Sequence, residues 1–424
     1  MKTRLLPILV FSIFFSISSN AQETNNYFVS EKDNNFLRNY KAPDFRFRSL
    51  TFTFDGIGQG TTTNLNNQQY LQCRSGLYFS RFFNTSAYQR GSNAALESNL
   101  RLRNNNGDVN YAVLLRGYNN SQNRFYLKNN WFYGIHAQTD FEVLAVENNN
   151  DLTLVLKPAF SIGHGRIEPI GYARVAMDVE RLLIKGNRFD SNFSEKNRKE
   201  LADKIAIIQT KRFFDPRLGR IYQLQALDSI LQDMGVITEA DITYFSLLQD
   251  AFLYGTYNYR MSGLRHEFGI TQGINILPTS SDKYMSYGFY KFSYYLPKSY
   301  AVQHNFTASV IGGLLVDNTS ITQNEFPLWF DVDYDFGFYP TTRSFFSVGI
   351  VGGLNVNSTV GYITGTNVRA YYYISPRFRF SLDGQFRIGE NYSAHNFYIA
   401  VPNFNRVTKE TSYGFRLGLI YSIF

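Results

Sequence analysis

The chain has 424 residues, of which 17% are aromatic and 18% charged, and its mean hydropathy is −0.26. A soluble chain of this length normally divides into two or three domains with helices throughout, whereas most of this sequence alternates between polar and apolar residues. The net charge of +8 includes no dense run of Lys or Arg, so we expect no nucleic-acid partner.

The first 21 residues have the pattern of a secretory signal peptide. Lys2 and Arg4 form a basic start, residues 5–17 are mostly apolar, and Ser19 and Ala21 are the small residues of a cleavage site. The apolar run is too short for a membrane span, which needs about 20 residues. We expect cleavage near Ala21, and we expect residues 22–45 to form an N-terminal periplasmic segment.

Runs of alternating polar and apolar residues predict about fourteen β-strands, and the pattern is compatible with any number from about 12 to 16. In the first half they cover residues 47–55, 71–82, 94–103, 109–118, 124–140 and 152–163. In the second half they cover residues 263–276, 284–296, 301–316, 328–338, 344–354, 367–374, 377–388 and 412–424. Strands with one apolar and one polar side predict an all-β membrane protein, a single antiparallel transmembrane β-barrel built from residues 46–165 and 253–424.

Residues 166–252 interrupt this pattern with apolar residues at helical spacing. Three apolar faces are predicted, on Tyr172, Ala176, Val179 and Leu183, on Leu201, Ile205 and Ile208, and on Ile221, Leu224, Leu227, Leu231 and Met234. The opposite faces carry too many charges to cross lipid. We therefore expect an α-helical insertion that lies in the periplasm or partly plugs the lumen.

The predicted connections of the second half support one topology. Barrels of this class have short periplasmic turns and longer external loops. The joints at 297–299, 339–343 and 375–376 are tight, and the alternate joints at 277–283, 317–327, 355–366 and 389–411 are long. Counting back from a periplasmic C-terminus, every tight joint falls on the side of the helical insertion.

Charged residues alternate with apolar ones on several strands and are predicted to face the lumen. The candidates are Arg101, Arg103, Arg116, Arg369, Arg377, Arg379, Arg387, Arg416, Asp331, Asp333 and Asp335. Such a wall can select charged solutes in a pore, because a low-dielectric passage focuses the field. It can also be a lattice of salt bridges that fills a narrow barrel, since polar lumens are general in this class.

Metal and enzyme sites are not expected. The carboxylates of Asp331, Asp333 and Asp335 stand about 7 Å apart along a strand, too far to hold one small ion together. None of the five histidines lies in a nucleophile-elbow or zinc-helix pattern. We expect no catalytic residue and no cofactor.

The last strand carries a resemblance to a known class. Alternate residues up to Tyr421 are apolar or aromatic and the chain ends at Phe424, as in the assembly signal of Gram-negative outer-membrane β-barrels. Phe424 departs from that signal, because it falls on the opposite face from Tyr413 and Tyr421. The Tyr- and Asn-rich composition and the helical insertion make the chain most similar to uncharacterised Bacteroidota barrels. A three-residue run at 228–230, Asp-Ser-Ile, also resembles the O-glycosylation acceptor motif of that lineage.

The resemblance implies residence in the outer membrane, with lipid and lipopolysaccharide around the barrel and the barrel-assembly machinery as a partner during biogenesis. The expected function is passive, porin-like passage of small charged solutes, leaning towards anions because of the predicted inward arginines. The alternative is a non-enzymatic scaffold or accessory subunit of an envelope assembly, which docks a protein partner through the helical insertion or the external loops.

Overall fold

The computed structural model describes residues 31–62, 67–105, 108–146, 149–189, 191–211, 216–236, 241–255, 260–276, 283–317, 326–356, 360–375, 378–392 and 407–422. The predicted signal peptide, Arg377 and Phe424 lie outside these ranges.

Fourteen antiparallel strands form a closed barrel in which each strand pairs with its neighbours in sequence and β1 pairs with β14. They are β1 Phe45–Thr62, β2 Asn67–Asn84, β3 Tyr88–Asn105, β4 Asp108–Tyr126, β5 Trp131–Val146, β6 Asn149–Pro169, β7 Met261–Ile276, β8 Lys283–Pro297, β9 Val302–Asp317, β10 Leu328–Phe338, β11 Ser344–Val356, β12 Val360–Ser375, β13 Phe378–Tyr392 and β14 Val407–Ser422. The predicted fold class and strand number are confirmed.

Two sequence expectations about connections were wrong. The long joint expected at 355–366 is short, because β12 begins at Val360 and continues the polar alternation that was assigned to a loop. The single strand expected at 124–140 is two strands. Asn129 and Asn130 adopt positive φ in the turn between β4 and β5, a conformation that asparagine tolerates better than most residues.

Exposure alternates along the strands as a membrane barrel requires. Phe52, Leu77 and Leu96 are directly paired across β1–β3 and are all more than 40% exposed. Phe160 and Ile162 of β6 are about 60% exposed, whereas Ser161 between them is buried in the lumen. Apolar side chains therefore cover the outside, and polar side chains turn inward.

The described residues form five α-helices beside the barrel. They are α1 Glu31–Asn39 before β1, and α2 Gly171–Lys185, α3 Glu195–Thr210, α4 Pro216–Asp233 and α5 Ile242–Gly255 between β6 and β7. Among the described residues, none of these helices combines the length and the apolar character needed to span a membrane. We call α1–α5 the helical cap.

The larger buried apolar core lies in the helical cap. Residues 172–180 of α2 are all buried, and their neighbours include Leu201 and Ile205 of α3, Leu231 of α4 and Leu248 of α5. Phe36 and Leu37 of α1 join the same core. A helix that is buried on every side is a central element, and here α2 lies between the outer helices and the end of the barrel.

Gly165 and Gly263 flank the insertion on the paired strands β6 and β7. Both have positive φ, and a Cβ on either would lie 2.2 Å from a carbonyl oxygen of the neighbouring strand. Only glycine fits so close an approach in that conformation. The two glycines allow the ends of β6 and β7 to pack closely next to the helical cap. The pairing of these strands continues to Pro169 and Met261, which are directly opposite each other.

Candidate functional site: the lumen and its cap

A cavity of about 420 Å³ lies inside the barrel against β3–β6. Its wall carries three acidic and two basic side chains, with uncharged residues between them. The charged residues are Glu97, Arg116, Asp140, Glu142 and Lys157. The pairing register explains the arrangement. Arg116 is opposite Glu97 on one side and opposite Glu142 on the other. Lys157 lies two residues along β6 from Val155, which is opposite Asp140. A small solute that carries charge would meet both signs here.

Below this cavity, towards the helical cap, a buried charge network lies on the lumen wall around Glu267 of β7. Arg124 donates to its carboxylate at 2.9 Å, and Ser161 donates at 2.8 Å. His136 lies 2.8 Å from the same carboxylate, and Arg265 lies at 3.8 Å. The Glu267 side chain is 1% exposed, so the network acts as packing between four strands and not as a solvent-filled passage.

The contact of Ser161, His136 and Glu267 does not have the geometry of a nucleophilic triad. A relay requires the carboxylate to orient one ring nitrogen while the other faces the serine. Here Nε2 of His136 lies 2.9 Å from Ser161 and 2.8 Å from Glu267, and Nδ1 has no hydrogen-bond partner among the described residues. The arrangement can hold a proton and fix side chains, and it does not prepare Ser161 for attack.

A second polar cluster narrows the cap end of the lumen. Arg166 of β6 reaches the β2–β3 turn, where it donates to the carbonyl of Thr85 at 2.6 Å and to that of Ser86 at 2.8 Å. It also pairs with Glu168 at 2.5 Å and stacks over the ring of Tyr126. This contact joins β6 to the β2–β3 turn, which are not neighbours in the barrel.

On the opposite wall, apolar side chains form a layer inside the lumen. Tyr287, Phe289, Ile311, Trp329, Val351, Ile363 and Tyr392 are all buried there. The Tyr392 hydroxyl donates to Asp331 at 2.8 Å, and the Tyr287 and Trp329 rings meet edge to face. The second half of the barrel is therefore packed where the first half leaves a cavity.

The helical cap is held to the barrel by buried arginines. Arg174 of α2 is fully buried, donates to the carbonyls of Tyr339 and Thr341 in the β10–β11 turn, and stacks on Tyr300 and Tyr339. The hydroxyl of Tyr300 donates to Asp178, one turn along α2. Burial raises the pKa of Asp178 to about 6, although the guanidinium groups of Arg174, Arg181 and Arg260 oppose that rise.

Arg260, immediately before β7, contacts the β8–β9 turn. It is fully buried, and it donates to the carbonyls of Ser299, Tyr300 and Val302 and to the side chain of Gln303. Burial, together with the positive charge of Arg174, lowers the pKa of Arg260 to about 9.

At the far side of the cap end, α5 contacts β11 and β12. Arg343 of the β10–β11 turn donates to Asp250 at 2.9 Å, and Tyr254 meets Tyr373 edge to face. With α1 against β7 and β8, these contacts reach from one wall of the barrel to the other. The helical cap therefore covers the end of the lumen.

The predicted site residues fall in separate places. Arg116 lines the cavity, whereas Arg379 stacks on Tyr371 and donates to Tyr373 near the helical cap. Arg369 interacts electrostatically with Asp333 and Asp335, and Asp331 lies under Tyr392. Arg101 and Arg387 occupy positions between outward apolar residues on β3 and β13.

Three of the predicted residues are located by strand position alone or lie outside the described ranges. Arg103 and Arg416 lie on β3 and β14, where the pairing register places Arg416 opposite Asp383, and Arg377 lies outside the described residues. Tyr421 of the predicted assembly signal is paired with Phe52 and Phe378. Within the described part of the chain, no three His, Cys, Asp or Glu residues are grouped to hold a metal ion.

Sequence reasoning missed the acidic cavity wall, Glu267 and the buried arginines of the helical cap. Glu97, Asp140 and Glu142 each alternate with apolar residues, so the pattern that identified the inward arginines could have found them. The role of Glu267 could not be predicted from a local pattern, because its partner Arg124 is 143 positions away in sequence.

No protein-family model matches the chain, and no curated protein sequence shows significant similarity to it. Among solved structures it is similar to a loop-deletion mutant of OmpT, an outer membrane protein of Vibrio cholerae, with 7% identity over 89% of this chain and 100% of that one, at a TM-score of 0.33. It is also similar to OprD of Pseudomonas aeruginosa, with 10% identity over 91% and 96% of the two chains, at a TM-score of 0.29. These low scores carry no functional argument, and the barrel rests on its own strand pairing.

Proposed function

We propose that this protein is an outer-membrane barrel that admits small charged solutes to its lumen and restricts their passage with the helical cap. The observation that carries the proposal is the cavity of about 420 Å³, walled by charged residues of both signs inside a closed barrel. Barrels of this kind place polar residues inward and use internal segments to narrow the lumen. The placement among Bacteroidota barrels stays a prediction from composition.

The charge preference that we propose follows the cavity wall. The inward arginines favour anions, but Arg369 faces aspartates and Arg379 stacks on tyrosines. The cavity itself carries Glu97, Asp140 and Glu142 against Arg116 and Lys157. We therefore propose that the cavity prefers solutes that carry a cationic group. If the same solute also carries an anionic group, that group would face the two basic side chains.

The test measures ion selectivity in planar bilayers. A cap-deleted variant, in which a short Gly/Ser turn joins Pro169 to Met261, makes the lumen wall accessible because those two residues are already paired. In a KCl gradient its reversal potential should show cation preference. Glu97→Gln with Glu142→Gln should shift the reversal potential towards anion preference, because one carboxylate would then face the two basic side chains of the wall.

Asp44→Asn in the same cap-deleted variant serves as the matched control, since Asp44 is an exposed carboxylate just before β1 and does not line the cavity. It should leave the reversal potential unchanged. A folded cap-deleted barrel that does not conduct would refute the channel, and anion preference would refute the charge assignment alone.

A second candidate function rests on the outer surface of the helical cap. Ile207, Leu218, Ile221 and Ile242 belong to α3–α5 and are all more than half exposed. Exposed apolar residues on helices outside the membrane are typical of protein interfaces. Under this alternative the barrel is a scaffold subunit, and chemical crosslinking in native membranes should recover one stoichiometric partner that Ile207→Lys with Ile221→Lys no longer recovers.

A further inference from the structure

The cap end of strands β1–β3 carries arginines on the outside of the barrel. The outward row Phe52, Leu77 and Leu96 fixes which residues face out. Counting along the paired strands by twos towards the helical cap gives Leu50, Phe79 and Ala94, then Arg48, Arg81 and Ser92, and then Arg46, Phe83 and Arg90. Two apolar rows are therefore followed by two rows that contain four arginines, which we call the arginine patch.

The spacing of the rows places the arginine patch at a membrane boundary. Each row is about 7 Å from the next along a strand, so the first arginines lie roughly 13 Å from Phe52. Aromatic residues continue around the barrel at this end, where the Tyr88 ring makes tilted contacts with the rings of Phe83 and Phe125. Aromatic girdles and basic side chains below an apolar band mark the level of lipid headgroups.

The two rows that form the arginine patch contain no acidic residue. Arg48 and Arg81 are directly opposite each other, a pairing of like charges that disfavours the sheet. The remaining outward positions in the two rows are Ser92 and Phe83. Asp44, just before β1, accepts instead from the backbone amide of Ser86.

The guanidinium groups of Arg81 and Arg90 also retain unused donors. The Nε atoms of both residues are buried from water and have no hydrogen-bond partner among the described residues. A ligand from outside the chain cannot reach these buried Nε atoms, so it would have to accept from the terminal Nη groups of the two arginines. Arginine presents its donors as a planar fork that matches the oxygens of a phosphate group.

We propose that the arginine patch binds the phosphate headgroup of an anionic phospholipid in the leaflet on the side of the helical cap. The apolar rows at Leu50, Phe79 and Phe52 contact the acyl chains, and the arginines contact the phosphate. Charge complementarity favours this occupant over a neutral lipid, and the adjoining apolar rows favour a lipid over free phosphate. The inference depends on the barrel lying in a membrane and is independent of whether it conducts.

The test compares lipid binding by native mass spectrometry of the full-length protein in detergent, with phosphatidylglycerol or phosphatidylcholine added. Phosphatidylglycerol should bind more tightly to the wild type. Arg81→Gln with Arg90→Gln should weaken it by about fivefold for each arginine, roughly 25-fold together. Inorganic phosphate at the same concentration should not displace the lipid.

Arg217→Gln with Arg220→Gln is the matched control, since it removes the same charge from an exposed part of α4. It should bind phosphatidylglycerol as the wild type does. Equal binding of the two lipids, or equal loss in the control, would overturn the proposal. Recovery of a protein on the patch in place of lipid would also overturn it. If the glutamine pair does not fold, Arg90→Gln is compared with Arg90→Lys, which should retain most of the binding because the positive charge remains.

Discussion

At the scale of single residues, the buried charges at the cap end hold the helical cap to the barrel. Arg174 and Arg260 are fully buried. Both terminal nitrogens of Arg260 donate to carbonyls of the β8–β9 turn, whereas Arg174 reaches the β10–β11 turn through Nη2 alone. A buried charge is tolerated when hydrogen bonds replace the water that it loses. These arginines therefore specify which turns the helices contact, and apolar packing supplies the rest of the attachment.

Asp178 makes this attachment dependent on pH. Burial raises its pKa from the usual 3.8 to about 6, while Arg174, Arg181 and Arg260 oppose the rise and Asp250 adds to it. A carboxyl group whose pKa is raised by folding contributes stability that is full below pH 3.8 and is lost as the pH rises through 6. The corresponding free energy is about 3 kcal/mol.

We expect Asp178→Asn to remove this dependence. The amide resembles the protonated carboxyl, so the variant should match the wild type near pH 4 and hold the helical cap more stably at pH 7.5. Thermal unfolding of the helical circular dichroism signal in detergent, recorded at both pH values, measures the difference. A variant with the same pH dependence as the wild type would show that Asp178 does not titrate in this range.

At the scale of elements, α1 is joined to the insertion by one network of ion pairs. Arg198 of α3 contacts Glu180 of α2 at 2.6 Å and Asp33 of α1 at 2.7 Å, and Arg181 lies 3.4 Å from Asp33. The Glu180 side chain is 2% exposed and also accepts from the backbone amide of Phe193. One arginine thus joins α1 to the consecutive helices α2 and α3.

Arg198→Ala should destabilise the helical cap by about 3 kcal/mol, because Glu180 would keep a buried charge without its main partner. Limited proteolysis between α2 and α3, followed by mass spectrometry, should show faster cleavage than in the wild type. The neighbouring Lys199→Ala is the control, since Lys199 is about half exposed and its pair with Asp203 contributes little. Equal cleavage rates in the two variants would contradict the role assigned to Arg198.

At the scale of the whole molecule, the strand pattern could be predicted because each strand records its environment locally. Leu96 faces lipid and Glu97 faces the cavity, and such alternation is visible in any short window. The helical cap was less predictable. The charges of the insertion excluded a membrane span, but they gave no sign that Arg174, Asp178 and Glu180 are buried against other turns and helices.

The same limit applies to the lumen. The inward position of Arg116 follows from alternation, but its position beside Asp140 and Glu142 depends on the pairing of β4 with β5. The division of the lumen into a cavity on one wall and an apolar layer on the other depends on contacts between strands. Local sequence determines which way a side chain points, and strand register determines what it meets.

The central claim is that the helical cap closes one end of a barrel whose lumen contains a charged cavity. Single-channel recording of the wild type beside the variant that joins Pro169 to Met261 tests it most directly, once both give a heat-modifiable, β-rich barrel. We expect little or no conductance from the wild type and stable open channels from the variant. Equal conductance in the two proteins would contradict the claim, because the helices would then not obstruct the lumen.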